Sequence, residues 1–113
     1  MPITTSQSYF WETLFKKIDE LCVQHNLMKI KECYEIYNAG NDKYEMTICH
    51  HWHPQYQENL IETTITNKKN NEVIYTNEYV FITHWDETIV TLPKPTDEFI
   101  DEMCNNLREK LVK

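Results

Sequence analysis

The chain has 113 residues, a net charge of −7 and a single glycine, Gly40. This length predicts one α+β domain, residues 1–113, that needs neither a metal nor a disulfide to fold. One glycine excludes P-loops, dinucleotide-binding fingerprints and other glycine-rich phosphate clamps. The first residues do not resemble a signal peptide, and no apolar run is long enough to span a membrane. We therefore expect a soluble cytoplasmic protein whose four cysteines are free thiols.

The first predicted element is a helix over residues 6–25. Phe10, Leu14 and Ile18 recur at four-residue spacing, which is typical of one apolar helix face. The Ser and Thr residues at 4–8 supply candidate N-caps.

From residue 29 the apolar pattern changes to a period of two, which indicates β-strands. The segment NAGND at 38–42, the segment NKKNN at 67–71 and the pair DE at 86–87 predict turns. The predicted strands are five in number and cover residues 29–37, 43–53, 58–66, 72–85 and 88–93.

A second helix is predicted to begin near Pro95 and Thr96, followed by the acidic residues Asp97 and Glu98 that suit a helix start. The expected fold is therefore α+β: a five-stranded antiparallel meander sheet flanked by an N-terminal and a C-terminal helix, in the order α-β-β-β-β-β-α. We expect both helices to pack on one face of this sheet.

Two of the predicted strands end in the dipeptide His-Trp. In a meander, strands 43–53 and 72–85 run in the same direction, so both ends lie at one rim of the sheet, roughly 9–10 Å apart. The rim would then gather four histidines, two tryptophans and two carboxylates: His50, His51, His53, His84, Trp52, Trp85, Asp86 and Glu87.

A metal site is one interpretation of this rim. His51 and His53 share a strand face and could chelate one ion, with His84 as a third ligand. Residues 51–58, HWHPQYQE, resemble part of the cupin metal motif, although the flanking glycines of that motif are missing. The alternative is that these histidines are solvent-facing strand residues, and on balance we expect no metal and no cofactor.

Nucleophilic catalysis has less support in the sequence. Cys49 could be activated by a histidine, but its neighbour His50 points to the opposite face of the strand. Cys22 and Cys104 lie on apolar helix stripes, where cysteine behaves as a small core residue. The sequence therefore does not favour an enzyme.

The negative charge is concentrated late in the chain. Residues 72–102 hold eight acidic residues and one basic residue, Lys94. Such a field repels nucleic acid and attracts basic protein surfaces. Because the second helix starts beyond the last strand, its acids and the Asp86–Glu87 turn could form either one patch or two.

Aromatic residues exceed what one face of a sheet needs. Tyrosine and tryptophan are typical interface anchors, although cross-strand packing is the alternative explanation. The residues in question are Tyr34, Tyr37, Tyr56, Tyr75, Tyr79, Trp52 and Trp85.

These features predict a small acidic inhibitor that occludes a basic partner, such as a nuclease or another nucleic-acid enzyme, without binding nucleic acid or membrane. Its size and charge are those of immunity proteins and phage anti-defence proteins. The alternatives are an acidic secretion-type chaperone or homodimeric adaptor, and a metal-dependent enzyme or sensor. The expected contacts are one tryptophan and six carboxylates: Trp85, Asp86, Glu87, Asp97, Glu98, Asp101 and Glu102.

Overall fold

The computed structural model describes residues 3–33 and 35–111 as an α+β fold, with two helices and a seven-stranded antiparallel sheet. A single 3₁₀ turn, Pro54–Tyr56, joins the fourth strand to the fifth. The elements in chain order are β1 (Ile3–Ser6), α1 (Gln7–Gln24), β2 (Met28–Glu32), β3 (Ile36–Gly40), β4 (Tyr44–His53), β5 (Glu58–Asn67), β6 (Glu72–Thr83), β7 (Ile89–Leu92) and α2 (Thr96–Leu111).

The sheet is a meander from β2 to β7, with β1 added beside β7. Each neighbouring pair of strands is antiparallel. β1 continues the sheet by placing Ile3 opposite Leu92 and Ser6 opposite Ile89. The two edges of the sheet are therefore β1 and β2.

The expected α+β meander between two helices is confirmed, but the number of strands differs from the prediction. The Thr-rich segment of β1 suits a strand as well as a helix cap, and only the cap was predicted. The strand predicted over 29–37 is two strands, because β2 and β3 are separate and β3 extends to Gly40. β2 is exposed along its whole length and has a bulge between Lys29 and Lys31. Because its buried and exposed side chains do not alternate, the sequence does not show where β2 ends. Tyr34 lies outside the described residues.

The helix starts follow from local capping chemistry. Ser6 is the N-cap of α1, and its hydroxyl accepts a hydrogen bond from the Tyr9 N–H at 3.4 Å. α2 begins at Thr96 and carries Asp97 and Glu98 in its first turn, where the helix dipole favours negative charge. Within the described ranges neither helix is long and apolar enough to cross a membrane.

Both helices pack on the same face of the sheet. The ring of Phe10 on α1 lies 4.9 Å from Phe81, and the ring of Phe99 on α2 lies 6.0 Å from Tyr79. Phe81 and Tyr79 are two residues apart on β6, so they point to one face. Phe10 and Phe99 also contact each other at 6.2 Å, which joins the helices into one core.

The other sheet face is not covered by either described helix. On this face Leu60 lies opposite Val80, and Ile82 lies opposite Thr91. Val80, Ile82 and Ile89 are exposed there. We call this surface the open face.

Substitution of Phe10 tests the packing of the helices on the sheet. Phe10 is fully buried among aromatic rings, so Phe10→Ala should lower the free energy of unfolding by about 3–5 kcal/mol. The matched control is Tyr9→Ala, a half-exposed position on the same helix, with an expected change of about 0.5 kcal/mol. Urea denaturation measures both values, and equal losses in the two variants would contradict this packing.

Candidate functional site

One end of the sheet combines strand ends, a turn and the start of α1. β4 and β6 both end there, and the Thr83 N–H donates a hydrogen bond to the Gln57 carbonyl at 2.9 Å. The Gln7 N–H donates to the Thr88 carbonyl at 2.8 Å, which ties α1 to the turn between β6 and β7. We call this end, formed by residues 50–57 and 83–88 with Gln7, Glu35 and Asn59, the rim.

A buried polar chain crosses three strands at the rim. His50 Nε2 donates to Asn59 Oδ1 at 2.6 Å, and Asn59 Nδ2 donates to Thr83 Oγ1. All three side chains are buried, and the register places them on the helix-covered face. Their mutual hydrogen bonds offset the cost of removing polar groups from water.

Burial keeps the His50 imidazole neutral. Desolvation lowers the pKa of His50 below its ordinary value, and the hydrogen bond to Asn59 only partly opposes this. The ring is also enclosed by aromatic neighbours, with Trp11 at 4.8 Å and Phe81 at 6.5 Å. His50 therefore acts as a neutral donor that orients Asn59.

The first cavity of the rim lies directly over this polar chain. Its volume is about 180 Å³, and two acidic residues, Glu35 and Glu87, line it together with the residues of the polar chain. Among the described residues neither carboxylate forms an ion pair. The lining residues are Gln7, Glu35, His50, Trp52, Asn59, Thr83 and Glu87.

The second cavity lies next to the first and shares two of its walls, Trp52 and Glu87. It has a volume of about 210 Å³. Both cavities together present aromatic rings and carboxylates, and no described Lys or Arg lines either one. The residues around the second cavity are Trp52, Pro54, Gln57, His84, Trp85 and Glu87.

Three of the predicted partner-binding residues lie at the rim. Trp85 is 90% exposed on the turn between β6 and β7, and Asp86 and Glu87 follow it. The Thr88 N–H donates to Asp86 Oδ1 at 3.1 Å, and this hydrogen bond lowers the pKa of the Asp86 carboxyl. The turn therefore presents an ionised carboxylate beside an exposed indole.

The four other predicted residues lie on α2. β7 is four residues long and leads away from the rim by about 13 Å, so Asp97 and Glu98 lie beyond its far end. Asp101 is 3.6 Å from the Lys17 ammonium and Glu102 is 2.6 Å from the Lys94 ammonium. The predicted acidic residues thus form two groups, and two carboxylates of the second group are partly neutralised.

The candidate metal ligands are not gathered into one group. His51 and His53 lie on the open face, where His51 Nε2 is 3.7 Å from Glu62 Oε1. His84 forms a hydrogen bond with Thr91 Oγ1 instead. Over the described ranges, no set of three or more His, Cys, Asp or Glu side chains is close enough to hold a metal ion.

The environments of Cys22, Cys49 and Cys104 do not activate their thiols as nucleophiles. Burial raises the pKa of the Cys49 thiol, and the neighbouring Glu62 raises it further. Burial also raises the pKa of Cys22, and it raises that of Cys104 to about 11. These three thiols are therefore protonated at neutral pH and are poor nucleophiles.

The aromatic residues divide into two sets. Tyr37 and Tyr79 are buried, and Tyr75 packs against the core. Tyr56 and the two rim tryptophans are exposed. The exposed aromatic residues are therefore concentrated at the rim.

Several rim residues were missed by sequence reasoning. His50 shares the strand face of Met46 and Ile48, and this parity could have placed it in the core. The positive φ angles of Gln57 and Glu87 have no sequence signal, because residues with positive φ are usually Gly or Asn. His50 was predicted to lie at the rim, and only its burial was missed. The residues that were not predicted are Gln7, Glu35, Gln57, Asn59 and Thr83.

Comparison of the chain with protein-family models, with curated proteins and with solved structures finds no match.

The buried His50 predicts a loss of stability in acid. Its folded-state pKa lies below the unfolded value of about 6.5, so the unfolded chain binds the proton more tightly. Unfolding free energy should therefore fall as the pH decreases from about 7.5 to about 5.5. The fall should be smaller in His50→Gln, measured by urea denaturation at both pH values. An equal fall in both proteins would show that His50 is not the responsible group.

Proposed function

We propose that this protein is a small acidic inhibitor that docks through its rim on a basic partner, such as a nuclease or another nucleic-acid enzyme. The main observation in support of this proposal is that Trp85 is exposed and is followed by two acidic residues, Asp86 and Glu87. An exposed indole leaves a large apolar surface in water, and burying it against a partner is favourable. Tryptophan is also among the residues most enriched at binding hot spots.

The negative charge around Trp85 favours a partner whose surface is positively charged. No Lys or Arg occurs between residues 72 and 93, and the rim cavities add the carboxylates of Glu35 and Glu87. A negative field of this kind speeds the encounter with a basic surface and disfavours nucleic acid. The carboxylates would take the positions of the phosphates that the partner's Lys and Arg normally bind.

The acidic residues on α2 contribute less to binding in this proposal than those at the rim. Asp101 and Glu102 are already engaged by Lys17 and Lys94, and half-exposed ion pairs contribute little to stability or binding. Asp97 and Glu98 form no ion pair among the described residues. We expect them to steer the encounter at long range, with the close contacts made at the rim.

A chaperone or homodimeric adaptor is the second candidate, and the open face favours it. Val80, Ile82 and Ile89 are exposed there, and a client segment or a second copy would bury them. A stable dimer that Val80→Glu dissociates, as measured by sedimentation equilibrium, would favour this candidate over the inhibitor.

Salt dependence and rim substitution test the inhibitor. Wild-type protein and the triple variant Trp85→Ala, Asp86→Asn, Glu87→Gln are immobilised and compared for capture of basic nucleic-acid enzymes. We expect wild type to release its partner in about 0.5 M salt, since screening removes the attraction. The triple variant should bind at least about tenfold more weakly, and soluble wild type should inhibit the captured enzyme at stoichiometric ratio.

The matched control exchanges two carboxylates away from the rim, Glu72→Gln and Glu109→Gln, and should bind as wild type does. Affinity and association rate that both stay unchanged in about 0.5 M salt would refute this mechanism. Equal binding by the triple variant would refute the rim as the docking surface.

A further inference from the structure

We propose that the second rim cavity, between Trp52 and Trp85, binds the guanidinium group of a partner's arginine side chain. This inference rests on the proposed function and names the group that the rim recognises. The cavity is about 210 Å³, which is below the 300–1,000 Å³ typical of small-molecule sites. Its size therefore suits one long side chain better than a whole metabolite.

The walls of the cavity have the chemistry that a flat cation requires. Trp52 and Trp85 supply two indole rings, and tryptophan is the strongest aromatic partner for a cation. Glu87 supplies a carboxylate, which can accept two parallel hydrogen bonds from a guanidinium. Arginine stacks on aromatic faces and forms this paired contact, whereas the lysine ammonium is a strongly hydrated point charge. The walls therefore favour arginine over lysine.

The neighbouring cavity strengthens the preference for a cation. This first cavity shares Trp52 and Glu87 with the second cavity, and Glu35 also lines it. His50 lies at its base, and burial keeps that imidazole neutral, so it does not repel a positive group. The residues that line these two adjoining cavities therefore include two acidic ones, Glu35 and Glu87, and no described Lys or Arg.

The backbone holds the cavity in place before a ligand arrives. Among the described residues, four non-glycine residues have positive φ, and two of these are asparagines, which tolerate that conformation. The other two are Gln57 (φ 53°) and Glu87 (φ 59°), and both line this cavity. Such conformations cost free energy and occur most often at functional sites.

Hydrogen bonds fix Glu87 from both sides. Its N–H donates to the His84 carbonyl at 2.8 Å, and its carbonyl accepts from Gln7 Nε2. The Gln57 carbonyl accepts from the Thr83 N–H at 2.9 Å. The backbone of Glu87 and the opposite wall at Gln57 are thus held by the frame of the sheet, which lowers the ordering cost of binding.

The test uses N-acetyl-L-arginine amide as the probe and follows the indole N–H signals of the full-length protein by NMR. We expect saturable shifts of the Trp52 and Trp85 signals, and at least about tenfold weaker binding of N-acetyl-L-lysine amide. Glu87→Gln keeps the size of the side chain and should weaken arginine binding about tenfold, because the charge-assisted bonds are lost. Glu109→Gln on α2 is the matched control and should bind as wild type does.

Three outcomes would overturn the assignment of this cavity to a partner's arginine. Equal binding of the lysine probe means a general cation site, and unchanged binding by Glu87→Gln removes the carboxylate from the site. The peptide Gly-Gly-Arg-Gly-Gly should bind as well as the amide. Free L-arginine that binds at least about tenfold more tightly than this peptide would assign the cavity to a small molecule instead of a partner side chain.

Failure of this inference is distinguishable from failure of the proposed function. A basic partner that is captured through Trp85 while the arginine probe gives no shift would refute the cavity assignment alone. A probe that binds while no basic partner is captured would refute the inhibitor alone.

Discussion

The antiparallel register of β4, β5 and β6 is the constraint on which the rest of the molecule depends. It pairs Tyr44 with Asn67 and continues without interruption to His53 opposite Glu58. Because side chains alternate between faces, a slip of one residue would move Met46 and Ile48 out of the core. The same slip would separate His50 from Asn59 and would dismantle the rim. The core and the candidate site are therefore set by one pairing pattern.

The rim is the place where that core becomes polar. Away from the rim, the helix-covered face of β4 and β5 is largely apolar, with Met46, Ile48 and Ile65 buried. At the rim, His50, Asn59 and Thr83 are joined by hydrogen bonds. These three residues line the first rim cavity together with the acidic residues Glu35 and Glu87. This change from apolar packing to polar lining gives a binding surface a rigid base.

The two helices and the main strands could be predicted because each follows a clear period. The α1 prediction of 6–25 matches Gln7–Gln24, and the strand predicted over 58–66 matches Glu58–Asn67. β2 could not be separated from β3, because an edge strand without buried side chains has no alternation. The meander topology predicts that strand ends meet at one rim. The second cavity there is lined by Gln57 and Glu87, whose backbones adopt the left-handed conformation. Neither residue type predicts that conformation from the sequence.

The two edges of the sheet carry features that oppose the addition of further strands. An unpaired edge strand can template the addition of another strand, and long flat edges aggregate. β1 is only four residues long, while β2 is interrupted by a bulge and carries Lys29 and Lys31. Short length, a bulge and lysines are the devices by which natural sheets block such growth. The sheet can thus keep one face uncovered without offering a continuous template for polymerisation.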